Sequence, residues 1–446
     1  MIILQRTATG VRPRDLMAAA AAVPLAALAA SIVHAPPARA SSAQASSAQV
    51  SPGQASSGQE ATAQAAIGRS AATRPAGPAG LAAPAAPNPR DFDLRRGSDR
   101  GAPIRALDAR LERSSVGALL DSSGQRRFGR GCGRPAAVPA RSLVYCFDRE
   151  DSTTGKWVPQ GVTSVSDAVE GERWSGGGRP MLVSWHDSGR VRLTFVNPDR
   201  RTYRHVLLVY PTMKGGRPTY TDIGIHAGGI AWYGNTLYVA DTRHGVREFD
   251  MRRIFDLGKS KAGSTGHAGW VGLHGKKYYG HGHRYVLPQT GSHHFTGGPT
   301  GGKCRGSGPL RMSWIAVDRT TWPHVLIAGE YCRPKAPQGR VATWPLGALS
   351  GSGVVHANWA AALPGDKIQG GVRTHHRWWF TQGRGEKRGR LLMTSRDWSD
   401  WGRVTRRTIS HGPEDLSCYR GQHRIWTIAE HAHKRALWGF PADACS

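Results

Sequence analysis

From Tyr145 onward, apolar and polar positions alternate with a period of two, in short runs broken by Gly, Pro, Asn and Asp. The clearest stretch is Ile225–Asp241. Ile230 and Trp232 alternate there with Ala231 and Tyr233, then Leu237 and Val239 alternate with Tyr238 and Ala240. Gly234-Asn235 between the halves is a tight-turn signal, so the stretch predicts a β-hairpin. The layout recurs at Gln160–Val165 with Met181–Trp185 and at Met312–Val317 with Val325–Glu330. It recurs again at Ile368–Val372 with Trp378–Gln382 and at Gly412–Leu416 with Ile425–Glu430. Further β-rich runs follow most of these pairs, among them Val191–Val196, Val246–Asp250 and Ala436–Phe440. Repeated four-strand units predict an all-β chain folded as a single β-propeller. Five blades fit the repeats, or six if Tyr285–Gln289 belongs to another. Leu143–Asp148 is expected to complete the last blade, and Gly258–Lys303, rich in Gly and His, is the longest insertion.

Composition divides the chain before that fold begins. Arg6, Arg12 and Arg14 precede the apolar run Leu16–Val33, and Ala38-Arg39-Ala40 offers a small-x-small cleavage site. Residues 1–40 therefore predict a secretory signal peptide, and the mature protein is expected outside the cell. Residues 41–128 are rich in Ala, Ser, Pro, Gly and Arg and contain no Trp or Tyr. Such a segment predicts a disordered spacer, because it has little apolar surface to set against its ordering entropy. The propeller is then expected over 129–446. No run outside the signal is long and apolar enough to span a bilayer.

The six cysteines suit an exported protein with disulfides. Neighbour pairing, Cys132–Cys146, Cys304–Cys332 and Cys418–Cys445, closes three short loops. A net charge of +29 raises the question of polyanion binding. The basic residues are scattered and no nucleic-acid motif is present, so the charge predicts loose attraction to an anionic cell envelope rather than specific nucleic-acid recognition. A monomer is expected.

The unit His226-Ala-Gly-Gly-Ile-Ala-Trp-Tyr-Gly-Asn-Thr-Leu-Tyr-Val-Ala-Asp241 resembles a blade of the regucalcin/gluconolactonase and NHL-like propellers. Gly412-Pro-Glu-Asp-Leu416 resembles their acidic strand starts, and the chain is also similar to bacterial secreted propellers of unknown function. In the metal-dependent members, acidic and Asn side chains at inner strand starts hold an axial calcium ion. The resemblance implies calcium as a cofactor and Glu414 as a metal ligand. Glu414 and Asp415 match those positions in type, whereas the other starts offer Gln160, His226 and Gln369.

Propeller geometry narrows the search for chemistry. Innermost strands start on the face where their antiparallel neighbours end. The heads Gln160, His226, Gln369, Glu414 and Asp415 should therefore meet the tails His186, Asp241, Glu330, Gln382 and Glu430 around one mouth of the channel. Convergent polar groups in a concavity predict a binding site. The expected function is binding of a glycan or other envelope ligand at that mouth. The alternative is a metal-assisted hydrolase or lyase acting on a lactone, ester or glycoside, with Glu414 as base or metal ligand and His226 as proton shuttle. In both readings Gln160, Asp241, Glu330, Gln369, Asp415 and Glu430 are expected to contact the ligand. No nucleophile elbow, P-loop or dinucleotide fingerprint is present.

Overall fold

The computed structural model describes residues 86–175, 178–333, 338–396 and 400–445. The expected signal peptide, and the expected spacer up to residue 85, lie outside the described residues.

The repeats fold as four-stranded antiparallel units. The first comprises Val158–Ser164, Met181–His186, Val191–Asn197 and Thr202–Lys214. The second comprises Ile230–Tyr233, Thr236–Asp241, Gly245–Asp250 and Tyr285–Phe295. The third runs Trp314–Asp318, Val325–Gly329, Arg340–Pro345 and Trp359–Ala362, and the fourth Ile368–Thr374, Arg377–Gln382, Arg388–Ser395 and Thr405–His411. The fifth takes Ser417–Tyr419, Arg424–Ala429 and Ala436–Pro441, and is completed by Leu143–Tyr145, whose Tyr145 lies opposite Leu437. The first strands of successive units touch in turn, and the fifth returns to the first. A ring of radially stacked meanders is a β-propeller.

The second unit shows why the sequence folds this way. Its hairpin turns at Gly234, where φ of +55° suits a residue without a Cβ. Ile230 pairs with Val239 and Trp232 with Leu237, and all four are fully buried in a core shared with the first unit. The alternate positions Ala231, Tyr238 and Ala240 enter a second core shared with the third unit. Each blade is sandwiched between neighbours, so both of its faces are apolar. Each Val or Leu buried in this way contributes about 1.5–3 kcal/mol.

Two expectations are corrected. Tyr285–Gln289 belongs to Tyr285–Phe295, the outer strand of the second unit, and not to a further blade. That strand also runs parallel to Thr202–Lys214, which joins the first two units in one sheet. The second correction concerns residues 86–128, which are ordered and packed rather than a disordered spacer. Leu94–Arg96 pairs with Tyr285–Phe295, Arg113–Ser114 with Ile254–Asp256, and Arg126–Arg127 with Thr202–Lys214. Phe92, Leu94, Ile104, Leu107 and Leu119 are buried, and Trp344 Nε1 donates to the Phe92 carbonyl at 2.9 Å. The segment lacks Trp and Tyr, but its few apolar side chains are spaced to cover outer-strand edges that would otherwise present unpaired backbone groups.

The three cysteine pairs are disulfides in the neighbour pattern, with Cα–Cα distances of 5.5, 6.0 and 5.7 Å. Among the described residues no helix is long and apolar enough to cross a membrane.

Candidate functional site

A cavity of about 700 Å³ opens at the end of the ring where the inner strands begin. Six of the predicted residues line it: Gln160, His226, Asp241, Gln369, Glu414 and Glu430. Two of them are placed by β-bulges. Pairing shifts between Pro159 and Val162, and again between Ile368 and Gly370, which leaves Gln160-Gly161 and Gln369 as extra residues on their strands. A bulge re-aims a side chain that regular pleating would send into a blade face. Gln160 Nε2 thereby donates to Glu430 Oε2 at 2.9 Å, and Gln369 Nε2 donates to Glu414 Oε1 at 2.6 Å.

The two glutamates also act on each other, and their affinities for protons are driven apart. Glu414 is fully enclosed. Burial, and then the charge of Glu430, push its carboxyl well above the usual carboxylate range. Burial acts on Glu430 too, but His431, Glu414 and Gln160 outweigh it and hold Glu430 below its ordinary value. Of the pair, Glu414 is the group that holds a proton more readily and Glu430 the one that ionises first. Two interacting carboxyls share one proton because both cannot readily ionise.

His226 packs against His186, which is not itself part of the cavity lining, with ring centroids 4.3 Å apart and planes tilted by 49°. Enclosure by the cavity walls, His186 and Arg311 outweigh Glu430 and push the His226 imidazole down to about 4. His226 therefore presents a neutral ring to the cavity.

Asp241 lies at the rim and is engaged locally. It accepts from His244 Nδ1 at 3.0 Å, from Arg247 Nε at 3.0 Å and from the Arg243 amide at 3.3 Å. Burial opposes its ionisation, but Arg247 and His244 prevail and keep it below the usual range.

Of the ten predicted heads and tails, four do not line the cavity: His186, Glu330, Gln382, which donates to Asp366 at 2.9 Å, and Asp415. Glu330 is buried and binds Arg340 through both oxygens, at 2.8 and 3.0 Å, while also accepting the Arg311 amide at 2.9 Å. Asp415, just before the strand Ser417–Tyr419, points away from the cavity into the neighbouring units. Its Oδ2 accepts the amides of Val162 at 3.3 Å and Ile230 at 3.2 Å, tying the fifth unit to the first two. Glu330 and Asp415 are both corrected from ligand contacts to structural groups. The calcium site implied by resemblance fits poorly for the same reason, since Asp415 is turned away and Glu414 Oε1 is taken by Gln369. Among the described residues no group of three His, Cys, Asp or Glu is placed to hold a metal ion.

Sequence reasoning missed Arg243, Arg311, Ser313 and Tyr331, which also line the cavity. Arg311 and Ser313 precede the inner strand Trp314–Asp318 and occupy the head position of the third unit. The equivalence of heads was the available signal, but that strand was expected to start at Met312.

No family model matches the chain, and no curated protein matches it. Among solved structures, the chain is similar to the β-propeller domain of Cps50 (Swd1) from Myceliophteria thermophila. Identity there is 10%, covering 63% of this chain and 83% of that one, with a TM-score of 0.29. It is also similar to the GH43_1 enzyme from Xanthomonas citri complexed with xylotriose. Identity in that case is 8%, covering 76% of this chain and 93% of that one, with a TM-score of 0.29.

Proposed function

We propose that this is an exported five-bladed propeller that binds a glycan or other polar envelope ligand in the axial cavity. The observation that carries the reading is convergence. Gln160, His226, Gln369, Glu414 and Glu430 come from four of the five units and meet in one concavity. Paired amides and carboxyls supply donors and acceptors at close range, which is what a polyhydroxylated ligand requires. Export rests on the signal-like first 40 residues and agrees with three disulfides. The basic surface adds attraction to an anionic envelope, and the protein acts as a monomer. The blade pattern resembles that of the regucalcin/gluconolactonase and NHL-like propellers.

The proton sharing of Glu414 and Glu430 favours a second reading, hydrolysis without a metal. Glycosidases hold two carboxyls about 5–10 Å apart, on either side of the bond to be broken. Glu414 and Glu430 both line the cavity and act on each other's ionisation, so they suit activation of one water molecule, with Glu430 as base and Glu414 as acid.

Glu414→Gln separates the two readings. The amide reproduces the donor of a protonated carboxyl but has no proton to transfer. Calorimetric titration with a panel of neutral and acidic oligosaccharides is expected to show binding retained in the variant within about tenfold, the worth of a typical hydrogen bond. Turnover by the wild type that vanishes in the variant would establish the hydrolase. Absence of saccharide binding in both proteins would end the glycan reading.

A further inference from the structure

We infer that the saccharide held in the axial cavity carries an anionic group, a carboxylate or a phosphate, seated between Arg243 and Arg311. This rests on the glycan reading and specifies its ligand.

The cavity lining holds two unlike sets of polar groups. One is the amide–carboxyl set of Gln160, Gln369, Glu414 and Glu430 described above, in which burial favours the protonated form of Glu414 and Glu430 is matched by His431 at 3.5 Å. The other comprises three arginines, Arg243, Arg247 and Arg311, with one carboxylate, Asp241, which is engaged by Arg247 and His244. Arg247 uses that carboxylate, at 2.8 Å, and spends a further donor on Gln289 at 2.9 Å. Arg243 and Arg311 are left over. Among the described residues, neither forms an ion pair.

Arg311 is the more telling of the two. It is partly buried, its Nη1 reaches only the Tyr331 carbonyl at 3.3 Å and the Cys304 sulfur at 3.8 Å, and its Nε is buried without a partner. A partly buried guanidinium with no counter-ion gains from an anion that comes to it. His226 beside it cannot do so, being neutral or cationic, and Arg311 itself disfavours the His226 imidazolium. The missing partner is an anion that enters the cavity, and guanidinium recognises carboxylate and phosphate with paired hydrogen bonds. Such a group on the arginine set would leave the ligand's hydroxyls for the amide–carboxyl set.

The probes are trigalacturonate, its fully methyl-esterified form, and glucose 6-phosphate, titrated calorimetrically into the full mature chain. Trigalacturonate or the sugar phosphate is expected to bind about tenfold or more tightly than the ester, as befits a charge-assisted hydrogen bond. Whichever is preferred identifies the anion. That preference should weaken as salt is raised. Arg311→Gln should reduce it to near unity while leaving ester binding in place. Arg243→Gln alters an exposed side chain, so it tests the same point with no risk to folding, and a partial loss is expected. Equal affinity for acid and ester, unchanged in both variants, would overturn the inference and leave the glycan reading intact. If neither these probes nor any neutral saccharide binds, the glycan reading falls and the inference falls with it.

Discussion

Gln160 donates to Glu430 at 2.9 Å although 270 residues of chain separate them. The bond joins the inner strand of the first unit to the strand end of the fifth, across the point where the ring closes. Gln160→Ala removes the donor and leaves Glu430 more exposed to repulsion from any charge on Glu414. The expected loss of stability is about 1 kcal/mol, measured by urea unfolding. A loss no larger than that of an exposed Gln→Ala control would show that the bond does not help to close the ring.

Asp415 accepts two main-chain amides from two different units. Asp415→Ala strands both, and each buried unsatisfied group costs about 1–3 kcal/mol. Asp415→Asn retains an acceptor oxygen and should cost much less. Equal destabilisation by the two variants would show that the amides are not what the side chain serves.

The elevated proton affinity of Glu414 predicts a pH effect of definite sign. An unfolded glutamate ionises near pH ~4.3. Folded Glu414 keeps its proton to higher pH, because burial and Glu430 oppose its charge. Above that pH the native state therefore binds more protons than the unfolded state, and the Glu414 contribution to stability falls as pH rises until the folded group ionises. Glu414→Gln removes this contribution. Its stability relative to wild type should rise between pH 4 and pH 8, read from thermal midpoints in matched buffers. A gap independent of pH would contradict the assignment.

How much of this was legible in the sequence depends on the kind of signal. Period-two alternation about Gly234-Asn235 identified the hairpin because local pattern and local structure coincide there. The heads Gln160 and Gln369 were legible as a recurring Gln-Gly pair. Their aim was not, since a bulge is a property of pairing between strands. Neither Asp415 nor Glu330 could be placed, because a strand position alone does not say whether a side chain meets the axis or a neighbouring blade. Arg311 was hidden by a strand start misjudged by two residues.

Residues 86–128 were misread because composition averages over a segment, whereas Phe92, Leu94 and Leu107 act one by one. A chain starting at Gly129 should consequently be less stable than one starting near Asn88. Exposing even two such side chains costs about 3–6 kcal/mol. Equal thermal midpoints for the two chains would show that the edge coverage contributes nothing.

Gly370 shows how close the inner strands come. A Cβ built there would lie 2.5 Å from Asp415 Cα and 2.8 Å from the Glu414 carbonyl oxygen, both main-chain atoms. Gly228 is similar, since a Cβ on it would overlap the carbonyl oxygen of Ser313 in the third unit. Main chain cannot swing aside as a long side chain can, so the neighbouring blade must shift bodily. Gly370→Val and Gly228→Val should each destabilise by about 2–3 kcal/mol. The Gly370 variant should do more than that. The backbone it displaces carries Glu414, whose carbonyl also accepts from Thr381 at 2.7 Å and Thr427 at 3.1 Å. Ligand binding should therefore weaken in Gly370→Val beyond the loss in Gly228→Val, when both are compared at a temperature where each remains folded. Equal binding by the two folded variants would mean that the fourth and fifth units do not set the position of the carboxyl pair.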